Sequence, residues 1–432
     1  MSSDVLDDLE WRGLIAHSTD IDALRADISA GPIRFYVGFD PSAPSLHMGN
    51  LLQLVTARRL QEAGHVPFLL VGGATGMIGD PKESGERSLN SVDLVKQWVE
   101  RVRRQVEPFF TFDGENAATM VDNYDWTANL STIDFLRDIG KHFPVNRMLG
   151  RDVVRSRLEA GISYTEFSYV LLQSMDYLEL FSNFDVRLQT GGSDQWGNIT
   201  GGVELIRRVT GERVHAFATP LVTKSDGTKY GKTETGALWL DPDMMSPYAF
   251  HQFWLNAEDE LVIQLLKYFT FRSRDEIEEL ETQTVAKPFL RTAQQVLADD
   301  VTGLVHGMEE MHRAKRAAAA LFGGGHLREL DGVTVASALK ETPHVEVQVS
   351  GDLPLYVDLL VATQLAPSKG AARRTVQEGG AYLNNVRIRD VDHRLSLDDA
   401  LGGGWFVLRR GKKHLAGVRL VSPAGSAPRS GL

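Results

Sequence analysis

An α/β fold built on a parallel sheet is what this sequence of 432 residues predicts. Three observations lead there. First, residues 33–41, "IRFYVGFDP", alternate Ile33, Phe35, Val37 and Phe39 with Arg34, Tyr36, Gly38 and Asp40, the period of a strand. Second, a helical pattern follows, with Met48, Leu51, Leu52 and Val55 on one face and Gly64 as the stop. Third, "VPFLLVGG" (66–73) has the composition of a fully buried strand. Strand, helix and strand in so short a stretch make a βαβ crossover, which pairs its strands in parallel.

The same order returns later. "DVRLQTGGSDQWGNITGGVELIRRV" (185–209) reads as strand, Gly-rich turn and helix, and "HAFATPLVT" (215–223) as another strand. Beyond about residue 245 strand patterns give way to helices over 247–322. Around 323–352 the pattern loosens at Gly323-Gly324-Gly325, Pro343 and Gly351, which reads as a linker with small elements. At roughly 100–200 residues per domain, the length predicts two to four domains.

Composition narrows the function classes. With 43% hydrophobic and 24% charged residues the chain is an ordinary globular one. It has no cysteine, which excludes disulfides, cysteine zinc sites and thiol catalysis. Its 12 histidines show no His-Glu-x-x-His or similar spacing, so no protein-held metal is expected. The start, "MSSDVLDDLEWRG", lacks the apolar region of a secretory signal. No apolar run approaches the roughly 18 residues of a membrane span. A cytoplasmic protein is the expectation.

A net charge of −11 argues against a nucleic-acid partner, but the charge is unevenly spread. Residues 353–432 hold twelve Lys and Arg against six Asp and Glu, a net of +6, which leaves −17 on the rest. Such a segment fits a polyanion-binding module and equally a solvated basic face.

Four stretches carry candidate chemistry. In "SLHMGN" (45–50) Ser45 is a good N-cap, with His47 and Asn50 in the first turns and Gly49 at a helix cost of roughly 1 kcal/mol. A helix start binds phosphate through its free N–H groups, although the stretch alone also suits a surface helix. "VGGATGMIGDP" (71–81) is a Gly-rich turn at a strand's C-terminal end, where α/β sheets bind ligands. Ala74 stands where a dinucleotide fingerprint needs glycine. "GTKYGKT" (227–233) misses a P-loop because position 226 is aspartate, leaving a polar loop with Lys224, Lys229 and Lys232. In "YTEFSYVLLQSMDYLELF" (164–181) Ser163 and Glu166 form a capping box. Phe167, Leu171, Ser174 and Leu178 take one side of that helix, and Tyr169, Gln173 and Asp176 the other. The second stripe could grip a small polar molecule or face solvent.

The order of these pieces is more specific than any one of them. "YVGFDPSAPSLHMGN", "VGGATGMIGDP", "YTEFSYVLLQSMD", "GGSDQWGN", "TKYGKT" and "SKGAARRTVQEGGAYLNN" span residues 36–385. The chain resembles the bacterial tyrosyl-tRNA synthetases, which are class I aminoacyl-tRNA synthetases. His47-Met48-Gly49-Asn50 stands where the class has His-Ile-Gly-His, and Lys229-Tyr230-Gly231-Lys232-Thr233 where it has Lys-Met-Ser-Lys-Ser. Asn50 in place of the second histidine cannot titrate but can still donate a hydrogen bond.

The resemblance implies a Rossmann-like catalytic domain over 1–245 that carries the lysine loop and a dimer-forming insertion at about 110–165. An α-helical domain (246–325) for the tRNA anticodon region, a linker (326–352), a small α+β S4-like RNA-binding domain (353–422) and a disordered tail (423–432) follow. The implied reaction joins L-tyrosine and ATP into tyrosyl-adenylate and pyrophosphate, then passes tyrosine to tRNA-Tyr, in a cytoplasmic homodimer. Mg²⁺ is expected with the ATP.

The implied catalytic residues are His47, Asn50, Lys82, Arg87, Lys229, Lys232 and Thr233. Asp40, Gly49, Gly192 and Asp194 would join His47, Asn50 and Lys232 around ATP. Asp80, Tyr169 and Gln173 would hold the tyrosine ammonium, Tyr36 and Asp176 its phenol, and Gln195 would join them in binding tyrosine. Lys369, Arg373, Arg374, Arg409, Arg410, Lys412 and Lys413 would meet tRNA phosphates. A tryptophanyl-type synthetase shares the fold, but Tyr36, Asp176 and the basic tail favour tyrosine. An RNA-binding protein with an inactive synthetase body is the rival of another class, and intact His47, Asp176, Lys229 and Lys232 speak against it.

Overall fold

The computed structural model describes residues 5–81, 85, 89–233, 236–322, 326–340, 342–348, 353–411 and 414–421. Contacts divide the chain into two units, 1–244 with 258–293, and 245–257 with 294–432.

The first unit is built on a six-stranded sheet of β1 (His17–Ser18), β2 (Arg34–Phe39), β3 (Val66–Val71), β4 (Thr119–Asp122), β5 (Val186–Gly192) and β6 (His215–Thr219). The order is β1-β6-β5-β2-β3-β4. Only β1 runs antiparallel, against β6; the other pairs are parallel. The chain steps outward from β2 through β3 to β4, then returns to the other side of β2 as β5. The gap beyond the C-terminal ends of β2 and β5 is therefore the switch point where such sheets bind ligands.

Helix α1 (Met48–Glu62) makes the β2–β3 crossover. Eleven of its fifteen residues are buried, so it is a central helix rather than a surface one. The expected cap at Ser45 is corrected. The helix is capped by His47, whose Nδ1 accepts the Gly49 N–H at 3.1 Å, while Asn50 Oδ1 accepts the His47 N–H at 3.1 Å. Ser45 Oγ instead donates to the Leu46 carbonyl at 2.7 Å and accepts the Asp241 N–H at 3.1 Å. Gly49 has a steric reason as well, because a Cβ there would lie 3.0 Å from Cε1 of the His47 ring.

Helix α2 (Tyr164–Phe184) is the wall of the site. Ser163 Oγ accepts the Glu166 N–H at 3.2 Å, as expected of a cap. The Glu166 carboxylate, expected to reach back to the cap, pairs at 3.2 Å with Arg157, both side chains being buried. Helix α3 (Trp196–Thr210) follows β5 and packs on α2. Between helices and sheet lie Tyr36, Phe68, Leu70, Tyr177, Leu180 and Val186.

The helices expected over 247–322 fall into both units. Helix α4 (Pro247–Leu255) belongs to the second, and α5 (Val262–Phe269) and α6 (Arg274–Ala286) to the first. In the second unit, α7 (Met308–Phe322) and α8 (Gly332–Lys340) cover one face of a five-stranded sheet. Helices α9 (Tyr356–Ala362) and α10 (Lys369–Gln377) cover the other face. Alternation along Trp405–Arg410 divides the faces, with Trp405 and Val407 on the first and Phe406 and Leu408 on the second. The stretch expected as a linker with small elements belongs to the second unit where it is described. It supplies α8 and the strand His344–Gln348, which pairs in parallel with His414–Val421. The tail expected from 423 lies outside the described residues. No helix among the described residues is long and apolar enough to cross a membrane.

The Arg157–Glu166 pair sets a stability prediction. Glu166→Ala leaves a buried guanidinium without its carboxylate and should lower stability by about 3–5 kcal/mol, read as a fall in the urea midpoint. A midpoint shift worth under about 1 kcal/mol, the range of a solvated surface pair, would contradict the buried pair.

Candidate active site

One cavity of about 830 Å³ opens at the switch point of the first sheet. Its closed end is formed by Tyr36 of β2 and by Asp176, Gln173 and Tyr169 of α2. These three α2 residues fall on one stripe, as the sequence spacing required. The stripe faces the cavity and not solvent.

Asp176 is buried, and each of its carboxylate oxygens takes one hydrogen bond. Trp126 Nε1 donates to Oδ1 at 2.9 Å and Asn123 Nδ2 to Oδ2 at 3.0 Å. Burial pushes the Asp176 pKa up to about 7 against the pull of these two donors, with Asp40 and Asp122 adding to the rise. Beside it the Tyr36 hydroxyl is buried and has no hydrogen-bond partner among the described residues. Burial, then the Asp176 charge, pushes the Tyr36 pKa well above the ordinary phenol value, so Tyr36 remains a neutral donor.

The next layer holds three acceptors. Tyr169 donates its hydroxyl proton to Asp40 Oδ2 at 2.6 Å, which leaves its oxygen free to accept. Gln173 Oε1 is buried without a partner among the described residues. Asp80 takes N–H groups from Gln195 at 2.9 Å and Asn198 at 3.0 Å. Arg151 in turn donates to Asn198 Oδ1.

The open end is built by the start of α1 and the lysine loop. Because His47 Nδ1 accepts the Gly49 N–H, the neutral ring carries its proton on Nε2. Burial lowers the His47 pKa, assisted by Lys229 and opposed by Asp194, which favours this neutral form. Asn50, having spent its carbonyl on the cap, keeps its amide N–H groups for another partner. Met48 N–H bonds the Leu238 carbonyl at 3.0 Å and Leu238 N–H the Gly231 carbonyl at 2.8 Å, so the helix start and the loop are tied. Gly231 sits at φ +83°, a conformation that favours glycine.

The cavity brings together Tyr36, Asp40, His47, Gly49, Asn50 and Asp80, and with them Tyr169, Gln173, Asp176, Gly192, Asp194, Gln195 and Lys229. Lys232 and Thr233 are described by backbone alone, in a two-residue strand paired with Gly236–Ala237. Lys82, Arg87, Lys412 and Lys413 lie outside the described residues. Asn123, Trp126, Thr75, Asn198 and Arg151 escaped the sequence reading. Thr75 and Asn198 stand inside quoted motifs, whereas Asn123 and Trp126 follow a short strand and carry no periodic signal.

In the second unit, Lys369, Arg373 and Arg374 are exposed on α10, and Arg410 is half-buried. Lys369 pairs with Asp358 at 2.7 Å and Arg373 with Asp392 at 3.2 Å. Arg409 departs from its expected role. It lies on the strand face covered by α7 and α8 and is buried, so it is not offered to a polyanion. Among the described residues no group of three or more His, Asp or Glu is arranged to hold a metal.

Known proteins match along nearly the whole chain. Residues 29–323 match the family described as tRNA synthetases class I (W and Y). Residues 334–418 match the tyrosine–tRNA ligase SYY-like C-terminal domain. The tyrosine–tRNA ligase of Streptomyces coelicolor is 56% identical over 422 residues, 97% of this chain and 99% of that protein. That of Cutibacterium acnes is 57% identical over 416 residues, 96% and 99% of the two. Among solved structures, a C-terminally truncated mitochondrial tyrosyl-tRNA synthetase of Aspergillus nidulans superposes with a TM-score of 0.67 at 30% identity. It covers 74% of this chain and 94% of that one. A tryptophanyl-tRNA synthetase of Encephalitozoon cuniculi shares the fold at 12% identity and TM-score 0.53, over 71% of this chain and 87% of that one.

The geometry around Asp176 predicts its titration. Carboxyl ¹³C NMR should give a pKa near neutrality. Trp126→Phe, which removes one donor to the charged form, should raise it further. A normal carboxylate value, or a fall in Trp126→Phe, would contradict the assignment.

Proposed function

The chain belongs to the class I tRNA synthetases of the tryptophan and tyrosine type, and we propose that it joins tyrosine to its tRNA using ATP. One observation carries the choice of tyrosine. At the closed end of the cavity a buried carboxylate and a buried phenol, unpartnered among the described residues, face the same space. A substrate phenol would donate to Asp176 and accept from Tyr36. Phenylalanine would leave both groups unpaired, at about 1–3 kcal/mol each.

The ammonium of the substrate meets Asp80, the Tyr169 oxygen and Gln173 Oε1, three acceptors for three N–H groups. With both ends held, the substrate carboxylate points to the open half of the cavity. There one carboxylate oxygen attacks the α-phosphorus of ATP. The bond from that phosphorus to the bridging oxygen breaks, and pyrophosphate leaves with the electron pair. His47 Nε2 and the Asn50 amide donate to phosphate and ribose oxygens. Lys229 and Lys232 hold the departing pyrophosphate, with Lys82, Arg87 and Thr233 in support. Asp40, Gly49, Gly192 and Asp194 frame the nucleotide. Such chemistry rests on position and on charge that meets the transition state, and no general base is required. Mg²⁺ enters with ATP as part of the substrate. In the second step a terminal ribose hydroxyl of the tRNA attacks the acyl carbonyl, its proton passes to an oxygen of the AMP phosphate, the bond from the acyl carbon to the phosphate oxygen breaks, and AMP departs with that electron pair.

Lys369, Arg373, Arg374 and Arg410 are the proposed phosphate contacts of the C-terminal segment, joined by Lys412 and Lys413. The ion pairs of Lys369 and Arg373 are solvated and worth about 0–1 kcal/mol, so phosphates can displace them. We take the enzyme to be a cytoplasmic homodimer. The segment 110–165 is its proposed contact, and it exposes Ile133, Val145 and Tyr164, each at least 60% accessible.

Pyrophosphate exchange decides the reading. With Mg-ATP the purified protein should exchange label in the presence of tyrosine and not of tryptophan. Exchange with tryptophan alone would favour the other branch, and no exchange with any amino acid would favour an inactive synthetase body. Lys229→Ala should slow exchange by on the order of a hundredfold, with tyrosine affinity within about twofold of the parent. Equal losses in both would contradict a transition-state role for Lys229.

A further inference from the structure

We propose that Asn123 is a positioning residue that ties the phenol end of the cavity to its nucleotide end. This rests on the synthetase reading above. Asn123 is fully buried and does not line the cavity. Its amide is nevertheless completely committed. The Ala74 N–H donates to Oδ1 at 2.8 Å, and because a backbone N–H can only donate, this fixes which end of the amide is oxygen. One amide N–H goes to Asp176 Oδ2 at 3.0 Å and the other to Thr75 Oγ1 at 2.9 Å.

Thr75 has a single hydroxyl proton. Since Asn123 presents an N–H to it, that proton goes to Asp40 Oδ1 at 2.7 Å. The second Asp40 oxygen takes the Tyr169 proton at 2.6 Å. One amide thus sets the direction of an unbroken path from Trp126 through Asp176, Asn123, Thr75 and Asp40 to Tyr169. The backbone leaves room for it. A Cβ on Gly72 would lie 2.0 Å from Asp40 Oδ1 and 2.3 Å from Thr75 Oγ1. The path joins the ends of β2, β3 and β4 to α2, so one amide contributes to the orientation of both aspartates. A phenol docking on Asp176 bears on the amide that orients Thr75, and through it Asp40.

The test measures KM for tyrosine and for ATP separately in pyrophosphate exchange, with thermal melting as a folding control. Trp126→Phe should raise the tyrosine KM about tenfold and leave the ATP KM within about twofold. Thr75→Val should raise the ATP KM about tenfold, and Thr75→Ser, which keeps the hydroxyl, should restore the parent value. Asn123→Ala should raise both, each about tenfold. A rise in the tyrosine KM alone in Asn123→Ala overturns the relay. If Asn123→Ala does not fold, the Thr75 pair decides: an ATP KM raised in valine and restored in serine supports the relay, and one unchanged in valine overturns it. Failure of the synthetase reading is separate, since the unmodified protein would then show no tyrosine-dependent exchange at all.

Discussion

A carboxylate can be buried only if its oxygens are met, and the catalytic unit is organised around one that is. Asp176 lies against the sheet with an indole N–H on one oxygen and an amide N–H on the other. Those donors come from the segment after β4, while the carboxylate comes from α2. Holding them together fixes α2 over the C-terminal ends of β2 and β5, and so shapes the closed end of the cavity. Burial outweighs the two donors and pushes the Asp176 pKa up to about 7. A third donor from a ligand would relieve it. Tyr36, sealed in beside Asp176 with its hydroxyl unpartnered among the described residues, carries the complementary need.

The rest of the site follows from helix and strand ends. Parallel strands must return through crossovers, so their C-terminal ends form a row of turns with free backbone groups. Gly72 and Gly73 in the turn after β3 leave space that Asp40, just past β2, and Asp122 of β4 fill, since a Cβ on Gly73 would lie 2.3 Å from Asp122 Oδ1. The α1 start is the polar counterpart. There a neutral imidazole serves as the cap, which directs Nε2–H and the Asn50 amide outward. The substitution of asparagine for the class histidine is thus part of the cap itself, because its carbonyl accepts the His47 N–H.

Much of this was legible in the sequence where the signal is local. The β2–α1–β3 unit shows in period-two and period-3.6 patterns, and the Tyr169, Gln173, Asp176 stripe is helical arithmetic. The glycine at 49 was legible as a site but not in its reason, which is room for the His47 ring. What could not be read depends on non-local contact. Ser45 has the chemistry of a cap, and only the approach of Asp241 shows why it is used elsewhere. Glu166 stands at a capping-box position but meets Arg157, brought near by chain geometry. His344–Gln348 looks like loop beside Pro343 until His414–Val421 pairs with it. Arg409 reads as one of seven basic residues expected to meet tRNA phosphates, yet strand alternation turns it toward α7 and α8.

The central claim is that the closed end of the cavity is made for a phenol, and binding to the unmodified protein without ATP tests it most directly. Calorimetric titration with tyrosine and with phenylalanine compares ligands that differ by one hydroxyl. Two buried polar groups left unpaired predict that phenylalanine binds more weakly by on the order of a hundredfold or more. Affinities within about threefold of each other would mean that Tyr36 and Asp176 do not read the hydroxyl, and the account of the site would fail.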